Sequence, residues 1–158
     1  MKIKWYKMYL DIADRLAQES HAVRLKVGAV FVSIEGVMST GINGLPAGGS
    51  NVCETEKIEY VKVEHDHRFC MNPTTVLVTK PEVSHAEENL LGKMLRQGVS
   101  TKGGTVFITH APCINCAKIM VVAGISNVIY RNEYKDTTGV DWLNKNNVVC
   151  LKEFDATI

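Results

Sequence analysis

His85-Ala86-Glu87 and, further along the chain, Pro112-Cys113-Ile114-Asn115-Cys116 are the residues best suited to chemistry. One imidazole and two thiols form a zinc ligand set. Three protein ligands leave a fourth tetrahedral position for water, which marks a catalytic rather than a structural ion. Cys113 and Cys116 are three apart, so on a helix they share a face. At a helix start, the dipole and unpaired N–H groups would favour their thiolates, the form that binds metal. His85 would bind as neutral imidazole. Glu87 would block the water position if it were a ligand. Its carboxylate suits proton transfer between that water and a substrate. The Ser84-to-Glu87 spacing also fits an N-terminal capping box, which needs no metal. The nearby CxxC weights the reading towards acid/base work.

These residues need a frame. Tyr6, Tyr9, Leu10, Ala13, Leu16 and Ala17 recur at helical spacing, with charged residues between them. Val27–Ile34 and Val37–Ile42 are apolar, β-branched runs, and Glu35-Gly36 between them signals a two-residue hairpin. Residues 41–49 are rich in glycine and break regular structure, and residues 50–72 read as polar and irregular. Thr74–Thr79 is a short apolar run. Ala86, Leu90, Leu91, Met94 and Leu95 trace a helix after Ser84 that ends near Gly98. Thr105–Thr109 reads as a buried strand. Pro112 fits the first position of the next helix, which Gly124 closes. Asn127–Tyr130 and Val148–Leu151 complete the strands. The alternation predicts an α/β fold of three α-β-α layers, with helices on both faces of a mixed sheet of about five strands.

At 158 residues the chain fits one domain, taken as residues 1–158, able to bury about 68–70% of its unfolded surface without disulfides. A net charge of +1 argues against a large nucleic-acid face. No run of 18 apolar residues suggests a membrane span, and Met1–Lys7 lacks a signal-peptide core. The expectation is a cytoplasmic protein with no nucleic-acid or membrane partner. Five cysteines, two of them in CxxC, fit metal binding better than a disulfide framework.

The order H-x-E…P-C-x-x-C is the signature of zinc-dependent nucleobase deaminases. Beyond it, the chain resembles the deoxycytidylate (dCMP) deaminases of bacteriophages and their hosts over most of its length. Lys26-Val27-Gly28-Ala29-Val30 is similar to the family's first strand. Gly41-Ile42-Asn43-Gly44-Leu45-Pro46-Ala47-Gly48 resembles its Gly-Tyr-Asn-Gly-x-Pro-x-Gly loop, with Ile42 in place of the usual Tyr. Val128–Tyr134, Asp136 and Gly139 resemble the segment after the second zinc helix. Transfer-RNA deaminases have a much shorter segment between the loop and the histidine.

The resemblance implies zinc-dependent hydrolysis of dCMP to dUMP and ammonia, feeding dTTP synthesis, in the host cytoplasm if the gene is a phage's. It implies that Asn43 bonds the sugar or base, that the Ala86 backbone contacts the ring amide, and that Tyr134 lines the nucleotide pocket. Arg24 and Lys26 are phosphate candidates. Arg96 and the Gly44 loop would lie near a subunit contact and a regulatory nucleotide, dCTP or dTTP, with Mg²⁺ as its companion, in a homohexamer. Phage relatives also suggest a second, structural zinc, for which Cys53, His65, His67 and Cys70 are available. The pattern departs at Ala22, where a ligand cysteine is expected, though His21 adjoins it. The alternatives are a zinc deaminase acting on another cytosine or purine derivative, free or in RNA, and a non-catalytic zinc scaffold.

Overall fold

The computed structural model describes residues 3–65 and 68–153. A single 3₁₀ turn, Ile3–Trp5, leads into α1 (Tyr6–Ala17). There follow β1 (Gly28–Val32), β2 (Met38–Ile42), β3 (Glu54–His65), β4 (Arg68–Thr79), α2 (Ala86–Gln97) and β5 (Thr105–His110). The chain continues through α3 (Ile114–Val122), β6 (Asn127–Asn132), α4 (Thr138–Lys145) and β7 (Val149–Lys152). Five strands form one sheet in the order β2-β1-β5-β6-β7. β1 is antiparallel to β2 and β5, whereas β5, β6 and β7 are parallel. The expected mixed sheet of five strands with helices on both faces is the fold observed.

Side-chain alternation assigns the two faces. Val30 and Val32 of β1, Phe107 of β5 and Ile129 of β6 pack with Leu10 and Ala13 of α1. Tyr9 stacks on Phe107 at 4.9 Å between ring centroids, and Tyr6 meets the same ring edge-on at 5.4 Å. Ala29, Phe31, Val106, Ile108 and Val128 point the other way, into a core with Ala86, Leu90 and Met94 of α2, Ala117 and Met120 of α3 and Leu143 of α4. Arg131 on β6 ties the first face together. It bonds Glu153 at 2.8 Å and Asp11 of α1 at 2.9 Å, and also pairs with Asp14.

Two glycines set how closely the site-bearing segments approach. A Cβ on Gly41 of β2 would stand 2.1 Å from the Ala86 carbonyl oxygen, so α2 lies with its first turn directly against the sheet. A Cβ on Gly139 of α4 would stand 2.0 Å from the Pro112 carbonyl oxygen, so α4 seats against the Pro112–Cys113 link.

Several boundaries differ from the sequence expectation. Residues 50–72 are not irregular. Most of them lie in β3 and β4, a two-stranded antiparallel hairpin separate from the main sheet, and Thr74–Thr79 is the second half of β4. The pattern was obscured because most of the described hairpin stays exposed, leaving Ile58, Tyr60 and Met71 exposed among charges. The β1–β2 connection has five residues, Ser33–Val37, closed by the Ser33 N–H donating to the Val37 carbonyl. Gly36 takes φ +87° there. α3 starts at Ile114 rather than Pro112, with Cys113 as its N-cap. α4 had no counterpart in the sequence reading.

Candidate active site

Both metal-ligand segments are helix starts at the carboxyl end of β5 or beside β2. His85 is the N-cap of α2, with φ −72° and ψ 160°, and Cys113 is the N-cap of α3, with φ −72° and ψ 165°. This extended backbone lets each side chain turn back over its own helix start. The reason His85 holds the cap is a long-range contact of its neighbour. Ser84 is occupied by a reciprocal pair of 3.0 Å backbone hydrogen bonds with Gly44, which pins the 41–49 loop to α2. The helix therefore begins one residue later than the Ser84–Glu87 spacing suggested. Glu88 closes the capping box, accepting from the His85 N–H at 2.7 Å. Glu87 is released from capping.

The His85 Nδ1 atom lies 3.6 Å from Cys113 Sγ and 3.3 Å from Cys116 Sγ. All three ligand atoms fall within 4.8 Å of one another, the one such cluster among the described residues. Zinc–sulfur bonds of about 2.3 Å and zinc–nitrogen bonds of about 2.0–2.1 Å place tetrahedral N and S ligands roughly 3.5 Å apart. The donor set and its spacing fit zinc. Among themselves these groups share protons unequally. Cys113 is pulled down to about 3, first by hydrogen bonding from the Cys116 thiol and then from His85. The Cys113 thiolate in turn holds His85 up to about 9. Cys116 is pushed up, by its hydrogen bond to Cys113 and by burial.

Glu87 is buried, with 4% of its surface exposed, and contacts Cys116. Burial pushes its carboxyl up to about 7. A carboxyl that titrates near neutrality is suited both to take and to give a proton.

A cavity of about 450 Å³ opens beside this cluster. His85, Ala86, Glu87 and Cys113 line it, together with Asn43, Tyr134 and Arg24 of the sequence candidates. Lys26 is not among the lining residues, and its ammonium donates to the Gln18 carbonyl at 3.2 Å. The Asn43 amide is already in use. Its Oδ1 accepts from the Val27 N–H at 2.8 Å and its Nδ2 donates to the Leu25 carbonyl at 2.8 Å, bracing the segment before β1. Each atom keeps one further hydrogen-bonding capacity for a ligand. Arg96 lies exposed in the last turn of α2, at the opposite end of that helix from His85.

The structure also brings in His110, Thr79 and Lys135, which the sequence reading passed over. His110 ends β5, and its Nδ1 lies 3.1 Å from Thr109 Oγ1. Its signal was positional: ligands gather beyond the carboxyl ends of central parallel strands. Of the set suggested for a second ion, the two cysteines do not converge. Cys53 is buried against Ala22 and Val83 at the base of the hairpin. Cys70 pairs across from Val63, so ten residues of extended strand, roughly 30 Å, separate the two thiols. His67 lies outside the described residues.

The family model for the cytidine and deoxycytidylate deaminase zinc-binding region matches residues 3–132. The chain belongs to this family. It is 32% identical to the deoxycytidylate deaminase of Enterobacteria phage T4, over 87% of this chain and 83% of that one. It is 29% identical to the Homo sapiens deoxycytidylate deaminase, over 85% and 69%. Its fold matches the dCMP deaminase of cyanophage S-TIM5, solved in complex with dCMP and dUMP, with TM-score 0.79, 36% identity and coverage of 96% and 98%. Among the described residues no helix is long and apolar enough to cross a membrane.

Proposed function

We propose that this member of the deaminase family hydrolyses dCMP to dUMP and ammonia. The observation that carries the reading is one cavity shared by the ligand cluster and a fixed positive charge. His85, Cys113 and the buried Glu87 line it, with Cys116 beside His85 and Cys113, and Arg24, with its permanent positive charge, lines the same space. The likeness to the cyanophage enzyme, which binds dCMP and dUMP, supports the same substrate here.

His85, Cys113 and Cys116 would hold the zinc ion, which when bound acidifies a water for attack at neutral pH. In our reading Glu87 takes a proton from the attacking water and delivers it to the pyrimidine ring nitrogen. It then carries a proton to the departing amine, so that water replaces ammonia at the ring carbon. The Ala86 backbone and Asn43 orient the nucleotide, and Tyr134 covers it. Arg24 meets the 5′-phosphate with a charge-assisted hydrogen bond.

Ammonia release from dCMP, dCTP, deoxycytidine and cytosine, assayed side by side, tests the reading. The specificity constant for dCMP should exceed the others by an order of magnitude or more. Equal values for dCMP and deoxycytidine would refute the monophosphate assignment. We further infer a homo-oligomer, supported by the exposed Leu95 and Val122 on α2 and α3, and a response to dCTP and dTTP with Mg²⁺ through Arg96 and the Gly44 loop. A monomeric mass with kinetics indifferent to both triphosphates would remove that part.

A further inference from the structure

Glu54 and Thr79 face each other across the base of the β3–β4 hairpin. Both reach back to one short segment before β1. Glu54 is buried, and its Oε1 accepts from the N–H groups of Val23 at 2.9 Å and Arg24 at 3.1 Å. Thr79 Oγ1 accepts from Arg24 Nη1 at 3.1 Å. One cross-strand pair therefore fixes the backbone and the guanidinium of the same arginine. Thr79 and Arg24 both line the cavity that holds His85 and Glu87.

This arrangement suits an arginine that must be aimed. An exposed guanidinium samples many rotamers, and fixing one of them improves its fit to a planar or tetrahedral anion. The threonine hydroxyl uses one Nη1 donor and leaves the others for two-point contact with a phosphate. Glu54 fixes where the arginine's stem starts. The hairpin, which adds nothing to the five-stranded sheet, thereby acquires a task at its base.

We propose that Thr79, seated opposite Glu54, is a positioning residue that aims Arg24 at the substrate's phosphate and so sets the preference for nucleotide over nucleoside. The proposal rests on the dCMP reading of the site. Its measure is the ratio of kcat/KM for dCMP to kcat/KM for deoxycytidine, in which general losses of folding or of metal cancel.

Thr79→Val keeps a β-branched strand residue and removes the acceptor. The ratio should fall by about fivefold to tenfold, the effect of one hydrogen bond, mainly through KM for dCMP. Thr79→Ser should restore it. Arg24→Ala should lower the ratio further, and adding Thr79→Val to Arg24→Ala should change nothing more. An unaltered ratio in Thr79→Val overturns the proposal. So does a further fall in the double variant, because Thr79 would then act on the substrate directly. If Arg24→Ala leaves the ratio intact while wild-type protein prefers dCMP, the positioning role fails and the substrate reading stands. If wild-type protein shows no preference, the substrate reading itself fails and the proposal falls with it.

Discussion

Gly41→Ala is a single-methyl test of how α2 is seated. The new Cβ would stand 2.1 Å from the Ala86 carbonyl oxygen, 2.8 Å from the Leu90 nitrogen and 2.9 Å from the Leu90 Cβ. The nearest of these is backbone and cannot rotate aside. Restoring a tolerable separation moves the first turn of α2 by about 0.9 Å, an overpacking strain that typically costs about 1–3 kcal/mol. For a chain of this size that lowers Tm by about 2–12 °C. Ala86 lies between His85 and Glu87, so the same shift displaces the proposed metal ligand and the proposed proton carrier together. Misplacement on the 1 Å scale costs up to about 10²-fold in rate. The assay is a thermal melt, zinc per chain and kcat/KM for dCMP on one preparation. Gly44→Ala is the control, since no atom lies within 4 Å of a Cβ built there. Its stability should stay within about 0.5 kcal/mol of wild type. A Gly41→Ala protein with wild-type Tm and wild-type kcat/KM would refute the reasoning.

Glu87→Gln should keep fold and zinc while turnover falls by about 10²–10⁴-fold; near wild-type turnover would deny it the proton-carrying role. Cys113→Ala or Cys116→Ala should lose zinc and, with it, a large part of the folding stability, as read by metal analysis and melting; full zinc occupancy in either would sink the ligand set. Protons compete with zinc for these atoms. His85 stays protonated up to about 9, and Cys116 is raised as well, so at neutral pH binding must expel about two protons. Zinc affinity should therefore fall as pH falls below about 9, by about two logarithmic units per pH unit, and a flat profile between pH 6 and 8 would contradict the assignment.

What the sequence made legible was set by how strongly burial constrains each segment. β1, β5 and β6 read clearly because sheet packing buries both of their faces in apolar residues such as Val30, Phe107 and Val128. The ligand trio was legible because its chemistry admits few residue types. The hairpin was hidden because Glu56, Lys57, Glu59 and Lys62 break up the apolar residues and, among the described residues, little beyond its base is covered. The start of α2 was misplaced by one residue because Ser84 is a good cap by type, and its competing bridge to Gly44 is a long-range contact that no local pattern records. α4 escaped because it is short and opens on Thr138 and Gly139, poor helix formers. Its start rests on Asp136, whose carboxylate accepts from the Thr138 N–H at 2.9 Å.

The reciprocal hydrogen bonds between Gly44 and Ser84 have an evolutionary consequence. They bring the departure and return of the whole hairpin excursion to a single point, which works as a splice junction. Closing a longer or shorter loop there costs only about 0.6 kcal/mol per doubling of length. The registers of β1, β2 and β5 are set elsewhere and are indifferent to what is spliced in. What the splice does change is one wall of the cavity, where Thr79 meets Arg24. An insertion or deletion at this junction would reshape that wall while leaving His85, Glu87, Cys113 and Cys116 on their own helices.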